Sequence, residues 1–423
     1  MKKLLYLSFL ICLGCSQCNK PIKETPSRLD CGDSPSRYVP NEIILDAQGL
    51  AGDYGVVKQY LENKGFKKLD TCNCSHSIEL WGNDQDVDVI GVIKDAGGAA
   101  GVMSGSAWRL SPNFVIVPDL SIARESPNRE VRKATQTPNP NPVKIAIIDT
   151  GVDPTNPYLS ASDFLWKRNP ASPAVCLSEG TYGLNVGDTS PIEPLDIQGH
   201  GTHINGIIAG VPTNTGDIGT VAFELLNVKF TSDTSQTGSL FKAVCGMYYG
   251  LDKGAQVFNL SWGYSGGKAP ELIKSFLETA KTKNVIVVAG AGNFNENNDV
   301  KPFWPASFSD TFDFVISVGA YDANRTPLQF YNMTNYGKTV NVFAPGVDVK
   351  STYLNSTSLA SASGTSMATA YVTRAAAILR GKNPAHSAAK IKQCIIDNSK
   401  NKTVATQVVR IFAANDVIMT PCL

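Results

Sequence analysis

Residues 143–153 read VKIAIIDTGVD, a β-branched and aliphatic run that breaks off at Asp149 and Gly151. A half-exposed strand alternates apolar and polar positions. Val143–Ile148 is apolar at every position but Lys144, the pattern of a strand buried on both faces. Runs of the same kind follow at Leu225–Val228, Val257–Leu260, Val285–Val288 and Phe314–Val318, and helical stretches stand among them at Ser239–Lys253, Glu271–Thr282 and Ser366–Arg380. Such an alternation predicts an α/β fold, a mostly parallel sheet with helices on both faces. Reacting groups in these folds collect at the carboxyl ends of the strands. Asp149 follows directly from its strand and stands at such an end.

Upstream, residues 121–142 read SIARESPNREVRKATQTPNPNP: polar, basic, rich in Pro and Asn, and without apolar periodicity. This is the composition of an exposed linker, where proteases nick. Residues 38–120 before it form a separate unit. Strands are expected at Asn41–Leu45, Phe66–Asp70, Ser77–Trp81 and Phe114–Val117, and helices at Asp53–Asn63 and Val87–Lys94. The order β-α-β-β-α-β is a small α+β, ferredoxin-like plan, which by itself fixes no chemistry.

The 423 residues carry a formal net charge of +1, which argues against nucleic acid, an anionic membrane surface or a strongly charged substrate as partner. Residues 1–18 have the form of an export signal: Lys2 and Lys3, an apolar run Leu4–Leu13, then small residues. Leu13-Gly14-Cys15 resembles the lipobox of bacterial lipoproteins, in which the cysteine becomes the lipid-bearing first residue, although Cys12 stands where that pattern has a bulky aliphatic residue. Ordinary cleavage near Gly14 or Ser16 is the other reading. The chain is therefore read as exported, either secreted or anchored outside a membrane by a lipid on Cys15, its only membrane attachment. Cys176, Cys245, Cys394 and Cys422 either form two disulfides among themselves, in one of three connectivities, or stay as buried thiols. Cys72-Asn73-Cys74-Ser75-His76 matches no common zinc framework.

Three segments supply what an activated serine needs: a nucleophile, a base, and a partner that fixes the base. Ile147-Ile148-Asp149-Thr150-Gly151 places a carboxylate at a strand end. Gly199-His200-Gly201-Thr202-His203 places an imidazole at a helix start. Ser363-Gly364-Thr365-Ser366-Met367-Ala368 places a serine at a helix N-terminus behind a glycine. Taken singly, each has a plainer reading, as a turn or cap residue. His200 and His203 would otherwise suggest a metal pair, but no third ligand accompanies them.

Together with NLSWG at Asn259–Gly263 and AGAGN at Ala289–Asn293, these segments resemble, in order, the motifs of subtilisin-like serine proteases, the subtilases. The resemblance spans most of Val143 to Arg380. It implies a catalytic domain over residues 143–423, with Ser366 as nucleophile, His200 as general base and acid, and Asp149 orienting His200. Asn293 would donate to the oxyanion. Ser261, Trp262, Gly263, Ala291 and Gly292 would line the channel for polypeptide substrates. The N-terminal unit resembles the subtilase propeptide, an intramolecular inhibitor removed by self-cleavage between Asp119 and Gln136. Departures are Ala370 for a proline, Thr373-Arg374 where a glycine is common, Asn156 for a histidine, and Tyr158 where many relatives carry a calcium-binding carboxylate. The companion loop Val211–Ala222 offers Asn214 and Asp217. The chain is read with no metal and no cofactor. Trp262 resembles the kexin-like branch, which cuts after basic residues, but the carboxylates that specificity needs are not identifiable, so broad cleavage after apolar or aromatic residues is expected. A catalytically silent binding protein on the same fold, the alternative, would lack a reacting residue; this chain lacks none.

Overall fold

The computed structural model describes residues 38–47, 54–72, 77–99, 110–118, 121–124 and 140–412. The last span has breaks at 161–162, 172–173, 175, 177, 189–191, 212–220, 267, 327, 356, 358 and 405–406. The expected leader with Cys15, most of the linker, and Asn214 and Asp217 lie outside the described residues.

The N-terminal unit runs β1 (Tyr38–Asp46), α1 (Tyr54–Asn63), β2 (Lys67–Thr71), β3 (Ile78–Gly82), α2 (Val89–Ala99) and β4 (Leu110–Ile116), followed by β5 (Ser121–Arg124). Its sheet has the antiparallel order β2-β3-β1-β4. Val57 and Leu61 of α1 and Val89 and Val92 of α2 cluster with Ile43, Leu45, Phe66 and Trp81 of the sheet side. The β-α-β-β-α-β order is thus present.

Beyond residue 143 the elements that matter are β6 (Val143–Asp149), β7 (Gly183–Asn185), α3 (His200–Ala209), β8 (Phe223–Lys229), β9 (Gly238–Ser239), α4 (Leu240–Asp252), β10 (Val257–Leu260), α5 (Glu271–Thr282), β11 (Ile286–Gly290), β12 (Val315–Asp322), β13 (Val342–Pro345), β14 (Ala360–Ser363), α6 (Thr365–Lys382), β15 (Lys400–Val404) and β16 (Gln407–Ile411). The large sheet has the order β15-β16-β13-β12-β11-β10-β6-β8-β7, parallel throughout except the edge hairpin β15–β16, and a short segment Gln329–Phe330 adds an antiparallel pair to the end of β12. With β8 on one side of β6 and β10 on the other, the strand order reverses at β6, which opens a crevice at its carboxyl end.

Helices cover the sheet as its apolar runs demand. On α5 the buried residues Leu272, Ile273, Phe276, Leu277 and Ala280 recur at helical spacing and form one face. Phe276 meets Tyr248 and Phe258 edge-on at 5.4 Å, and burying each such ring contributes roughly 1.5–3 kcal/mol. Helix α6 is buried from Thr365 to Arg380 and packs on β10, β11 and β12, its small Ala368, Ala370, Ala375, Ala376 and Ala377 allowing that depth.

Two expectations are corrected. Residues Ser121–Arg124, read as the start of an exposed linker, form β5, which pairs antiparallel with β14 from Ser121↔Ser363 to Arg124↔Ala360. Backbone pairing requires only a free strand edge, so it leaves no apolar pattern in the sequence. Cys245 does not pair within the C-terminal group of cysteines. It is bonded to Cys72 with the Cα atoms 5.5 Å apart, and Cys176 and Cys394 are disulfide-bonded as well, which removes the free-thiol alternative for these residues. The bond also takes Cys72 away from any metal role.

The two units share a continuous interface. Strand β4 pairs with β9 through Val115↔Ser239 and Ile116↔Gly238. Phe114 stacks on Tyr264 with ring centres 4.3 Å apart. Asp46 accepts from Ser275 Oγ at 2.9 Å, and Asn113 Oδ1 accepts from the N–H of Phe241 in the first turn of α4 at 3.0 Å. Among the described residues, no helix is long and apolar enough to cross a membrane, and no group of three His, Cys, Asp or Glu side chains could hold a metal ion.

Candidate active site

Asp149 is the last residue of β6 and His200 the first of α3; both are buried. His200 Nδ1 and Asp149 Oδ1 are 2.7 Å apart, and Oδ1 also accepts the Thr150 N–H at 2.8 Å. With its proton on Nδ1, the imidazole is held by the carboxylate and presents Nε2 as the basic nitrogen. Gly199 makes the entry to α3 with φ 102°, and any Cβ there would meet the Tyr353 ring at 2.1 Å. Only glycine fits that turn.

His203 does not join this pair. Its Nε2 lies 3.0 Å from the carbonyls of both Val349 and Ala360, so it carries a proton and donates. Burial pushes its pKa down to about 4, with the nearby His200 adding to the effect against the two carbonyls. It is a buried structural histidine.

Ser366 is the second residue of α6, entered through Gly364 at φ 150°. Its hydroxyl donates to the Ser261 carbonyl at 3.1 Å, while Ser261 Oγ donates back to the Ser366 carbonyl at 3.1 Å. Ser261 and Asp149 each lie two residues past a paired position, Asn259↔Ile147, which puts both at the same end of adjacent strands. Asn293 stands beyond β11. Its Oδ1 accepts the Thr365 N–H at 2.9 Å, which turns its amide so that Nδ2 is the donor end, and a Cβ on Gly364 would come within 3.2 Å of it.

The other residues that the resemblance implied for a substrate channel have their own surroundings. Trp262 is buried with its ring 5.5 Å from Phe230, and its indole N–H has no partner among the described residues. Gly263 lies against Phe303. Ala291 is buried, its N–H on Val318 O, and the Gly292 N–H donates to Thr365 Oγ1 at 3.3 Å. Strand β4 of the N-terminal unit pairs with β9, while Ser121 of β5 pairs with Ser363, three residues before Ser366.

Sequence reasoning missed the residue that organises the turn before His200. Buried Asp196 accepts from Thr150 Oγ1, from the N–H groups of Gln198, Gly199 and Thr202, and from Thr202 Oγ1, at 2.7 to 3.0 Å. Thr150 Oγ1 in turn accepts the Gly201 N–H at 2.8 Å. The available signal was an Asp four residues before His200, a side chain suited to a turn that opens a helix. Lys229 was also missed. It is buried opposite Asp149 and donates to the carbonyls of Leu195 at 2.7 Å and Thr150 at 3.3 Å.

The departures are absorbed locally. Asn156 donates to Tyr353 O and accepts from the Tyr158 N–H, and the Tyr158 hydroxyl is occupied by Thr357 O. Arg374 reaches Ile208 O of α3 at 2.8 Å and covers the Phe223 ring. Burial lowers its pKa to about 10, so it stays charged at neutral pH.

Comparison with known proteins agrees with this architecture. The sequence model described as "Subtilase family" matches residues 141–413. Subtilisin DY of Bacillus licheniformis is 30% identical over 260 residues, covering 61% of this chain and 84% of that protein. Subtilisin Savinase of Lederbergia lenta is 34% identical over 251 residues, covering 59% and 80%. Among solved structures, fervidolysin from Fervidobacterium pennivorans, described as a keratinolytic enzyme related to subtilisin, superposes with a TM-score of 0.62 at 18% identity. That likeness covers 91% of this chain and 62% of fervidolysin, and it speaks to the fold alone. On a family match that takes in well over half of its length, the chain belongs to the subtilases, a family of serine endopeptidases.

Proposed function

We propose that the protein is an exported endopeptidase that cleaves polypeptides through Asp149, His200 and Ser366 and is made as a self-processed precursor. The observation that carries this reading is the buried contact of His200 Nδ1 with Asp149 Oδ1 at 2.7 Å. Asp149 fixes the tautomer and stabilises the imidazolium; His200 takes the Ser366 proton and later delivers it to the leaving amine. In the resting arrangement the Ser366 hydroxyl bonds Ser261 O, so attack begins with rotation of that hydroxyl toward His200. The tetrahedral oxyanion is met by Asn293 Nδ2 and the Ser366 N–H at the start of α6. The substrate adds as a strand along Ser261–Gly263.

The N-terminal unit acts as propeptide. The chain passes from β4, which pairs with β9, to β5, whose Ser121 pairs with Ser363, three residues before Ser366. The bond cut is then Asp119–Leu120 or Leu120–Ser121, at the start of the range read from the sequence. Export rests on the form of residues 1–18, with a lipid on Cys15 as the anchored variant. The test is full-length wild type against Ser366→Ala, with casein as substrate and N-terminal sequencing of the product. Casein turnover and a new N-terminus at Leu120 or Ser121, both abolished in the variant, are expected. Turnover that survives in Ser366→Ala would overturn the assignment.

A further inference from the structure

Cleavage between β4 and β5 would cut the peptide link between the N-terminal unit and the rest of the chain, but a second link remains. Cys72, at the end of β2, is bonded to Cys245 in the middle of α4, with a Cα separation ordinary for a disulfide. Both residues are buried, and Cys72 packs in the core cluster of the large sheet, together with Ile44, Ile78 and Ile116 of the N-terminal unit. The bond therefore lies inside the docked interface, on the same face as the Asp46–Ser275 and Asn113–Phe241 hydrogen bonds.

We propose that Cys72–Cys245 makes the N-terminal unit a captive inhibitor. Processing yields two chains joined by this bond, the unit keeps its seat over the channel, and cutting alone does not switch the enzyme on. The captive state rests on self-processing and concerns the enzyme once the cut is made. An inhibitor released into solution leaves on dilution. A tethered one rebinds its own partner at an effective concentration near millimolar, which dilution does not change. Because an exported protein meets an oxidising compartment, the tether persists.

A dithiol opens it in two steps. One thiolate attacks a sulfur of the pair, forming a mixed disulfide and expelling the other cysteine as a thiolate that takes up a proton. The second thiolate of the dithiol then attacks the mixed disulfide and frees the remaining cysteine. Two electrons pass from the dithiol, which ends as a disulfide, to Cys72 and Cys245, which end as thiols. With both sulfurs buried, attack waits on partial undocking of the unit, so activation is slow.

The test uses three full-length proteins: wild type, Cys72→Ser/Cys245→Ser, and a Ser366→Ala chain carrying a sequence-specific protease site between residues 125 and 139. After cutting at that site, the Ser366→Ala protein should run as one band on a denaturing gel without reductant and as two with dithiothreitol. Self-processed wild type should keep the same activity per mole over a 100-fold dilution and gain about tenfold with dithiothreitol. The double variant should gain activity on dilution without any thiol, which separates this bond from the disulfides of Cys176 and Cys394. Two bands without reductant, or processed wild type already as active per mole as the diluted double variant, would overturn the proposal. Should the double variant not fold, non-reducing peptide mapping of the cut Ser366→Ala protein takes its place: a linked Cys72–Cys245 peptide pair is expected, and its absence overturns the proposal. Wild type that stays a single chain under reduction refutes self-processing and the captive state with it, while the cut Ser366→Ala protein still reports the tether separately.

Discussion

Thr373 Oγ1 donates to Asn259 Oδ1 at 2.9 Å, and Asn259 Nδ2 passes the contact on to Ser261 Oγ, which holds the Ser366 carbonyl. A residue that departs from the family pattern is thereby wired to Ser366 through three buried hydrogen bonds. Thr373→Val keeps the shape and leaves the Asn259 carbonyl buried without its donor, at a cost of about 1–3 kcal/mol. Thr373→Ser restores the donor. Thermal melts in a Ser366→Ala background, where the protein cannot digest itself, should place Thr373→Val lowest, with Thr373→Ser between it and Thr373.

Asp196→Ala strips the turn before His200 of its common acceptor and strands several buried donors. Stability should fall by about 3 kcal/mol. Asp196→Asn, which keeps the shape and one acceptor oxygen, should fall less. If urea midpoints of Asp196→Ala and wild type coincide, this carboxylate does not organise the loop.

On the proposed mechanism Asn293→Ala removes one oxyanion donor, and it also takes away the acceptor of the Thr365 N–H at the start of α6. The expected loss is about 10²–10³ in kcat with KM little changed, a magnitude known from the corresponding donor of subtilisin. Steady-state kinetics on a peptide amide would show it. A rise in KM with kcat unchanged would mean that Asn293 serves ground-state binding.

His203 is buried as a neutral donor with its pKa lowered from 6.5 to about 4. The unfolded chain therefore binds a proton that the folded chain refuses between those values. Its contribution is fully favourable above about 6.5 and is lost as pH falls toward 4, by roughly 3 kcal/mol in total. His203→Gln should be less stable than wild type at pH 7.5, where the native donor is intact, and should lose less between pH 7 and about 4.5. Denaturant midpoints across that interval, again in Ser366→Ala, measure the difference.

The fold was legible because a parallel sheet writes itself into local composition. Val143–Ile148 and Val257–Leu260 must be apolar on both faces, and no turn chemistry competes with that reading. The segments around Asp149, His200 and Ser366 were recognisable for a related reason: glycines such as Gly199 and Gly364 are forced by backbone geometry and flank the polar residues at fixed offsets. Contacts made through space left no such trace. Cys72 finds Cys245 only after two units dock, β5 uses backbone groups that every residue owns, and Asp196 looks like any surface Asp until the donors that converge on it are counted. Asn113, which completes the first turn of α4 from another unit, has nothing beside it in sequence that announces a helix start.

If Asp149, His200 and Ser366 are the proposed triad, their dispersal over separate crossings of the sheet also protects whatever makes the protein. During synthesis the Asp and His emerge long before the serine, and contacts of such large sequence separation form late in folding. A chain stalled halfway, or one that has collapsed without closing α6 onto β10 and β11, has no assembled protease, whichever local motifs it already carries. Hazard is thereby confined to the finished molecule, a safeguard written into the order of the strands.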